Sequence, residues 1–211
     1  MASPENTPRG YFKYILAVDC ETTGLFRNVD DPSFDPVSKK THQSVSWGII
    51  VVDATTLTPI EKLYLEIKHN GVSEWSKEAE KVHGLSKQYL EENGVTEEEA
   101  VTQIASLIIK YWGPDNKLCL LGHNVVTFDM WFLKRLMRSQ GINLRFGNRH
   151  IDTFSVAYGT SGAFNSDDLF STMGLPVRAI HNSLEDIEYT LESFRRVKLL
   201  WNKQVGVTAY E

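Results

Sequence analysis

Residues 12–25, FKYILAVDCETTGL, decide the fold. Ile15 to Val18 are apolar and rich enough in β-branched side chains to be a central strand. The run then meets Asp19, Cys20 and Glu21, and Thr22, Thr23 and Gly24 break it. In an extended chain alternate side chains share a face, so Asp19 and Glu21 point one way and Cys20 the other. Two carboxylates at a strand's carboxyl end, at the edge of a crevice, suit metal ions. A solvated strand end is the ordinary alternative.

Working outward, VSWGIIVV at 45–52 and IEKLYLEI at 60–67 read as two more strands joined by a polar turn around Asp53–Pro59. The second alternates better and is expected to be half exposed, which gives an antiparallel meander. Thr96 and Glu99 form a capping-box pattern, and Val101, Ile104, Leu107, Ile108 and Tyr111 recur on one helical face before Gly113–Pro114 stops the element. KLCLL at 117–121 reads as a buried strand, and a helix is expected from Thr127 to Gly141 with Phe132 and Leu136 inward. A short strand at 151–156, a short helix at 167–173 and a long helix at 183–201 complete the pattern. On that last helix Leu184, Ile187, Leu191 and Phe194 share the core face. The expectation is an α/β chain: a mixed sheet, a three-stranded meander plus parallel strands, covered by helices.

The expected organisation is a disordered lead at 1–11, one domain at 12–203 and a short tail at 204–211. Residues 27–43 carry no periodic pattern and two Asp-Pro breaks, so they read as a long loop insertion; such loops are commonly functional or disordered.

Composition narrows the classes. The 211 residues are 42% hydrophobic and 23% charged, ordinary globular values, with a net charge of -5. That charge argues against a duplex binder that needs many phosphate contacts, yet a metal site demands carboxylates. Cys20 and Cys119 match no zinc spacing and read as reduced, buried thiols. No apolar stretch reaches the roughly 18 residues of a membrane span. The N-terminus does not look like a secretory signal, so a cytoplasmic location is expected.

Two more acids stand out. Asp129 falls in the first turn of a helix, where a carboxylate is favourable in any case. Asp186 lies near the start of the last helix, with His181 five residues before it and still outside that helix. A capping or core histidine is the alternative for His181. Taken together, four carboxylates and a histidine fall where strands and helices of one layer converge. Hard divalent cations such as Mg²⁺ or Mn²⁺ take oxygen ligands of this kind.

On these residues the chain resembles the DnaQ-like, or DEDD, nuclease superfamily, whose proofreading members include the epsilon subunit of DNA polymerase III. VDCETTGL at 18–25 resembles its first exonuclease motif, GHNVVTFDMWFL at 122–133 its second and HNSLED at 181–186 its third, in the histidine form. In the tyrosine form a tyrosine would stand where Asn182 is. VHGL at 82–85 is similar to the family's His-Gly turn, and Asp152 to an aspartate at the fifth strand. The resemblance spans residues 12–200 or so and implies a ribonuclease H-like mixed sheet of five strands.

The resemblance also implies a two-metal 3'–5' exonuclease that releases nucleoside 5'-monophosphates. Asp19, Glu21, Asp129 and Asp186 would hold two divalent ions, Mg²⁺ or Mn²⁺, and His181 would be the general base. Thr22, Thr23, Leu25, His83, Asn124 and Phe128 would contact the 3'-terminal nucleotide or carry the loops around it; pure packing is the alternative for His83 and Phe128. Lys134, Arg135, Arg138, Arg145 and Arg149, with Lys39 and Lys40 in the loop, are candidates for upstream phosphates or simply solvated charges. Single-stranded or frayed DNA 3' ends are the expected partner, in replication or repair. An oligoribonuclease or RNA-trimming enzyme is the first alternative and a silent adaptor on the same fold the second. Contact with a polymerase or a second copy is not legible in the sequence, and no C-terminal tether is expected. The 27–43 loop is expected to rim the site and influence substrate choice.

Overall fold

In the computed structural model, which describes residues 12–25, 41–114, 117–176, 178 and 180–205, the opening apolar run forms β1, Tyr14–Thr22. β1 extends past its expected end, so Asp19 and Glu21 lie within paired strand, opposite Gly48 and Ser46 of β2, Ser44–Asp53. β3, Pro59–Glu66, pairs antiparallel with β2 and is half exposed, as its alternation predicts. β4, Leu120–Gly122, and β5, Ile151–Asp152, run parallel to β1 on its other side. The resulting five-stranded mixed sheet has the order β3-β2-β1-β4-β5.

The helices of the described residues are α1 (Lys77–His83), α2 (Lys87–Asn93), α3 (Glu97–Trp112), α4 (Asp129–Ser139), α5 (Thr153–Ser161), α6 (Ser166–Thr172) and α7 (Ser183–Val205). Strand alternation sorts the core into two layers. Leu16, Val18, Trp47, Ile49 and Val51 pack with residues of α3 and α4 on one face. Ile15, Ala17, Ile50, Val52 and Leu121 pack with Ile187 and Leu191 of α7 on the other. Each fully buried side chain of this kind contributes about 1.5–3 kcal/mol. Exposed ion pairs such as Lys62–Glu188 give about 0–1 kcal/mol, so the layers and not the surface charges hold the sheet.

Several local expectations are corrected. Residues 153–156 are helix: β5 stops at Asp152 because its carboxylate accepts the Phe154 N–H and caps α5. α1 and α2, absent from the sequence reading, start at the caps Ser76 and Ser86, whose hydroxyls accept from Ala79 N and Tyr89 N. α4 begins at Asp129 rather than Thr127. The capping box of Thr96 and Glu99 is present. The expected lead, most of the 27–43 loop with Lys39 and Lys40, and the end of the tail lie outside the described residues. Among the described residues, no helix is long and apolar enough to cross a membrane.

Candidate active site

The alternation that puts Ile15 and Ala17 under α7 puts Asp19 and Glu21 on that same face. Gly48 makes room for them to be met. A Cβ on this residue, directly across from Asp19, would stand 2.1 Å from the Ser183 carbonyl oxygen. The first residue of α7 therefore rests on bare backbone, tied by a 2.9 Å bond between the hydroxyls of Ser46 and Ser183. One turn on, Asp186 is brought to the end of β1.

Asp129 arrives from the opposite layer. The Leu16 N–H donates to Cys119 O, and the period of two puts the Cys20 N–H on the same edge, beyond the end of β4. With no strand left to accept it, Cys20 N donates to Asp129 Oδ1 at 2.9 Å. A backbone group orphaned by unequal strand lengths thus fixes the carboxylate beside β1. Asp19, Glu21, His123, Phe128, Arg178, His181 and Asp186 line one cavity of about 180 Å³. Ligand atoms of Glu21, His181 and Asp186 lie within 4.8 Å of one another.

The charges in this cavity are unbalanced. Burial, then the negative charges of Asp129, Glu21 and Asp186, pushes Asp19 well above the usual carboxylate range. Burial, then Asp186 and Asp129, raises Glu21 to about 8. Burial raises Asp129 to about 7 against its hydrogen bonds, and it raises Asp186 against the opposing pull of Arg178. Crowded carboxylates that resist ionisation want a cation of higher charge than one guanidinium, and an all-oxygen set with one imidazole fits a hard divalent ion.

A second cavity of about 310 Å³ adjoins the first, lined by Glu21, Thr22, Leu25, Val82, His83 and Phe128 among others. Leu25 stands on its rim, 70% exposed. His83 is buried; its Nδ1 accepts the Leu85 N–H, and its Nε2 is buried without a partner of good geometry. Burial lowers its pKa, so the ring is held neutral. Phe128 lines both cavities and tilts against Phe132 at 5.0 Å.

Other expected contacts are placed differently. Thr23 is fully buried and lines neither cavity: its hydroxyl accepts the Gln43 N–H and meets His42 Nδ1, and its carbonyl accepts from Ser76 N. The Thr22 hydroxyl is spent on the Gly24 carbonyl. Asn124 builds the turn before α4, at φ 59° with its N–H held by Asp152, and its carbonyl accepts from Thr127 N and Phe128 N. Arg135 is turned inward to the His42 carbonyl and Ser73, while Arg138 is exposed and bonds Asn143.

Arg178 was missed in the sequence. Its side chain is 2% exposed, paired with Asp186 and, at 2.5 Å, with Asp167, and it lies over the Phe170 ring at 4.7 Å. Nothing but its place three residues before His181 could have pointed to it. His181 is itself anchored: its N–H donates to Val82 O at 3.2 Å, and its Nδ1 stands 3.5 Å from Asp186 Oδ2.

The family described as Exonuclease (RNase_T) matches residues 16–194. Escherichia coli exonuclease I in complex with a dT13 oligonucleotide is similar in structure, with a TM-score of 0.72 and 18% identity over 92% of this chain and 43% of that one. A 3'-exonuclease that recognises the histone mRNA stem-loop gives a TM-score of 0.65 and 16% identity, over 90% of this chain and 64% of that one. A zinc-bound exonuclease I–single-stranded DNA complex gives 0.70 and 19%, over 89% of this chain and 41% of that one. The chain thus spans about two fifths of the length of the exonuclease I chains. No curated protein matches it in sequence. The sheet is the ribonuclease H-like one of these exonucleases, and the chain belongs to the RNase_T exonuclease family of the DnaQ-like superfamily.

Proposed function

We propose that the chain is a 3'–5' exonuclease of the DEDDh pattern that hydrolyses single-stranded or frayed DNA ends to nucleoside 5'-monophosphates. The convergence of Asp19, Glu21, Asp186 and His181 on one cavity, with Asp129 held beside β1 by the Cys20 N–H, carries this reading. Two divalent ions, Mg²⁺ or Mn²⁺, held by those four carboxylates would supply Lewis-acid stabilisation of the attacking and leaving oxygens.

The chain's own groups do the rest. His181, anchored through its backbone and a third exposed, would take the proton from a water attacking the terminal phosphodiester. The P–O3' bond breaks, the 5'-phosphate stays on the released nucleotide, and a proton goes to the leaving 3'-oxygen. The cavity of Thr22, Leu25, His83 and Phe128 is of a size for the terminal nucleoside, with Leu25 free to wedge against its base.

The likeness to exonuclease I bound to DNA supports the DNA reading, and the likeness to the 3'-exonuclease of histone mRNA supports the RNA alternative. A silent adaptor is disfavoured because all four acids and the histidine are present, with Asp19, Glu21, Asp186 and His181 on one cavity. Purified protein with Mg²⁺ or Mn²⁺ and matched 5'-labelled DNA and RNA oligonucleotides, beside Asp19→Ala, tests the reading. Stepwise shortening of DNA that vanishes in the variant is expected. Preference for RNA of a few nucleotides would move the assignment to an oligoribonuclease, and no shortening of either would sink it.

A further inference from the structure

Residues 153–166, TFSVAYGTSGAFNS, carry no charged side chain in a chain of net charge -5. They form α5 and the turn into α6, beside the catalytic cavity. Phe154 and Tyr158 are four residues apart, on one helical face. Their rings are 6.2 Å apart and nearly parallel, at 26°. Phe164 meets Phe154 edge-on at 5.7 Å. Tyr158 is 60% and Phe164 69% exposed.

This row begins inside the site. His123, which lines the cavity, meets Phe154 edge-on at 6.0 Å, and Ser166, two residues past Phe164, lines the same cavity. Single exposed apolar residues need no explanation, but contiguous rings opening onto a cleft of carboxylates do. Phe154 is half-buried at the base of the row, but Tyr158 and Phe164 are exposed, so core packing does not account for them.

We propose that Phe154, Tyr158 and Phe164 form a stacking platform for the nucleobases of the strand outside the cavity. This rests on the nuclease reading and names how its substrate is gripped beyond the cut. Every base has a π-face, so such a platform holds a strand whatever its sequence. The absence of acidic groups along 153–166 spares the phosphates the repulsion that the rest of an acidic protein would give them. A second copy of the chain is the rival occupant. The exposed rings offer on the order of a few hundred Å², short of the roughly 800 Å² per partner of a standard protein interface.

Fluorescence anisotropy with labelled single strands of two to ten nucleotides, with Ca²⁺ as the divalent ion, tests the platform. The wild type is compared with Tyr158→Phe and with Tyr158→Ala/Phe164→Ala. The wild type is expected to tighten with length, and the double variant to lose about ten- to a hundredfold on the ten-nucleotide strand but little on the dinucleotide. Tyr158→Phe keeps the ring and is expected to keep the affinity. Unchanged length dependence in the double variant, or an equal loss at every length, would overturn the proposal. So would a wild-type dimer, seen by light scattering, that the double variant dissolves. Length-dependent binding lost in the double variant, beside a wild type that shortens nothing in Mg²⁺, would sink the nuclease reading and keep the platform.

Discussion

Arg178 grips Oδ1 of Asp186, and the other oxygen of that carboxylate is left on the side of His181, 3.5 Å from its Nδ1. The guanidinium is itself braced by Asp167 and Ser166 at the start of α6. One oxygen is therefore held and the other presented. Groups that orient a metal-binding carboxylate in this way typically govern affinity by about 10–100-fold. Arg178→Met is expected to weaken Mn²⁺ binding by that factor, read by titration with electron paramagnetic resonance. Arg178→Lys should fall between, because an ammonium lacks the planar fork. Equal affinity in all three proteins would show that the pair serves folding only.

The crowding at β1 predicts a trade between stability and function. Asp19 is half-buried among three other acids and held far above its usual range. Asp19→Asn removes that repulsion, so metal-free protein at pH 8 is expected to melt about 2–6 °C higher, while Mn²⁺ binding and hydrolysis are lost. Calorimetry in EDTA reads the first, and an unchanged or lower melting point would contradict it.

The same shifts set a pH dependence. Glu21 is raised to about 8 and Asp129 to about 7, whereas unfolded carboxyls titrate near pH 4. Between those limits the folded chain binds more protons than the unfolded one, so stability falls as pH rises. Metal-free protein is expected to be more stable at pH 5.5 than at pH 8.5. Divalent ions should reverse the order, because they displace these protons. Denaturant melts in EDTA and in Mg²⁺ check both signs.

Gly48→Ala places a methyl against the Ser183 carbonyl, which is backbone and cannot swing away. Overpacking of this kind costs about 1–3 kcal/mol. The displaced start of α7 carries Asp186, so activity should drop by roughly a hundredfold if the shift approaches 1 Å. A urea melt beside a rate assay tests this; wild-type rates would mean that α7 is not seated through Gly48.

His181→Asn should lower kcat by about 10²–10⁴ while Mn²⁺ affinity changes far less. If affinity falls as far as rate, His181 is a ligand of the ion and not the base.

Much of this protein was legible in one dimension. The apolar run of β1, the meander, the Thr96 capping box and the long α7 follow from periodicity and caps, which are local. So does the pairing of Asp19 with Glu21 on one face, since it needs only the period of two. Short elements were not legible: α1 and α2 each span two turns between a serine cap and a glycine, too little for a pattern to register. Residues 153–156 read as a continuation of the strand at Ile151 and Asp152, and only the capping bond from Phe154 N–H to Asp152 showed the helix.

What tertiary structure alone decided is which groups meet. Thr23 sits one residue from Thr22 yet is sealed among His42, Gln43 and Ser76, contacts made from distant segments. Asp129 reaches the site because β1 outruns β4 and leaves the Cys20 N–H to be satisfied. Arg178 gains its role only when α6 and α7 close around it. Side-chain period and capping belong to neighbours in sequence, so sequence alone determined them. Burial, charge pairing and an orphaned backbone donor belong to neighbours in space, and for these the chain had to fold first.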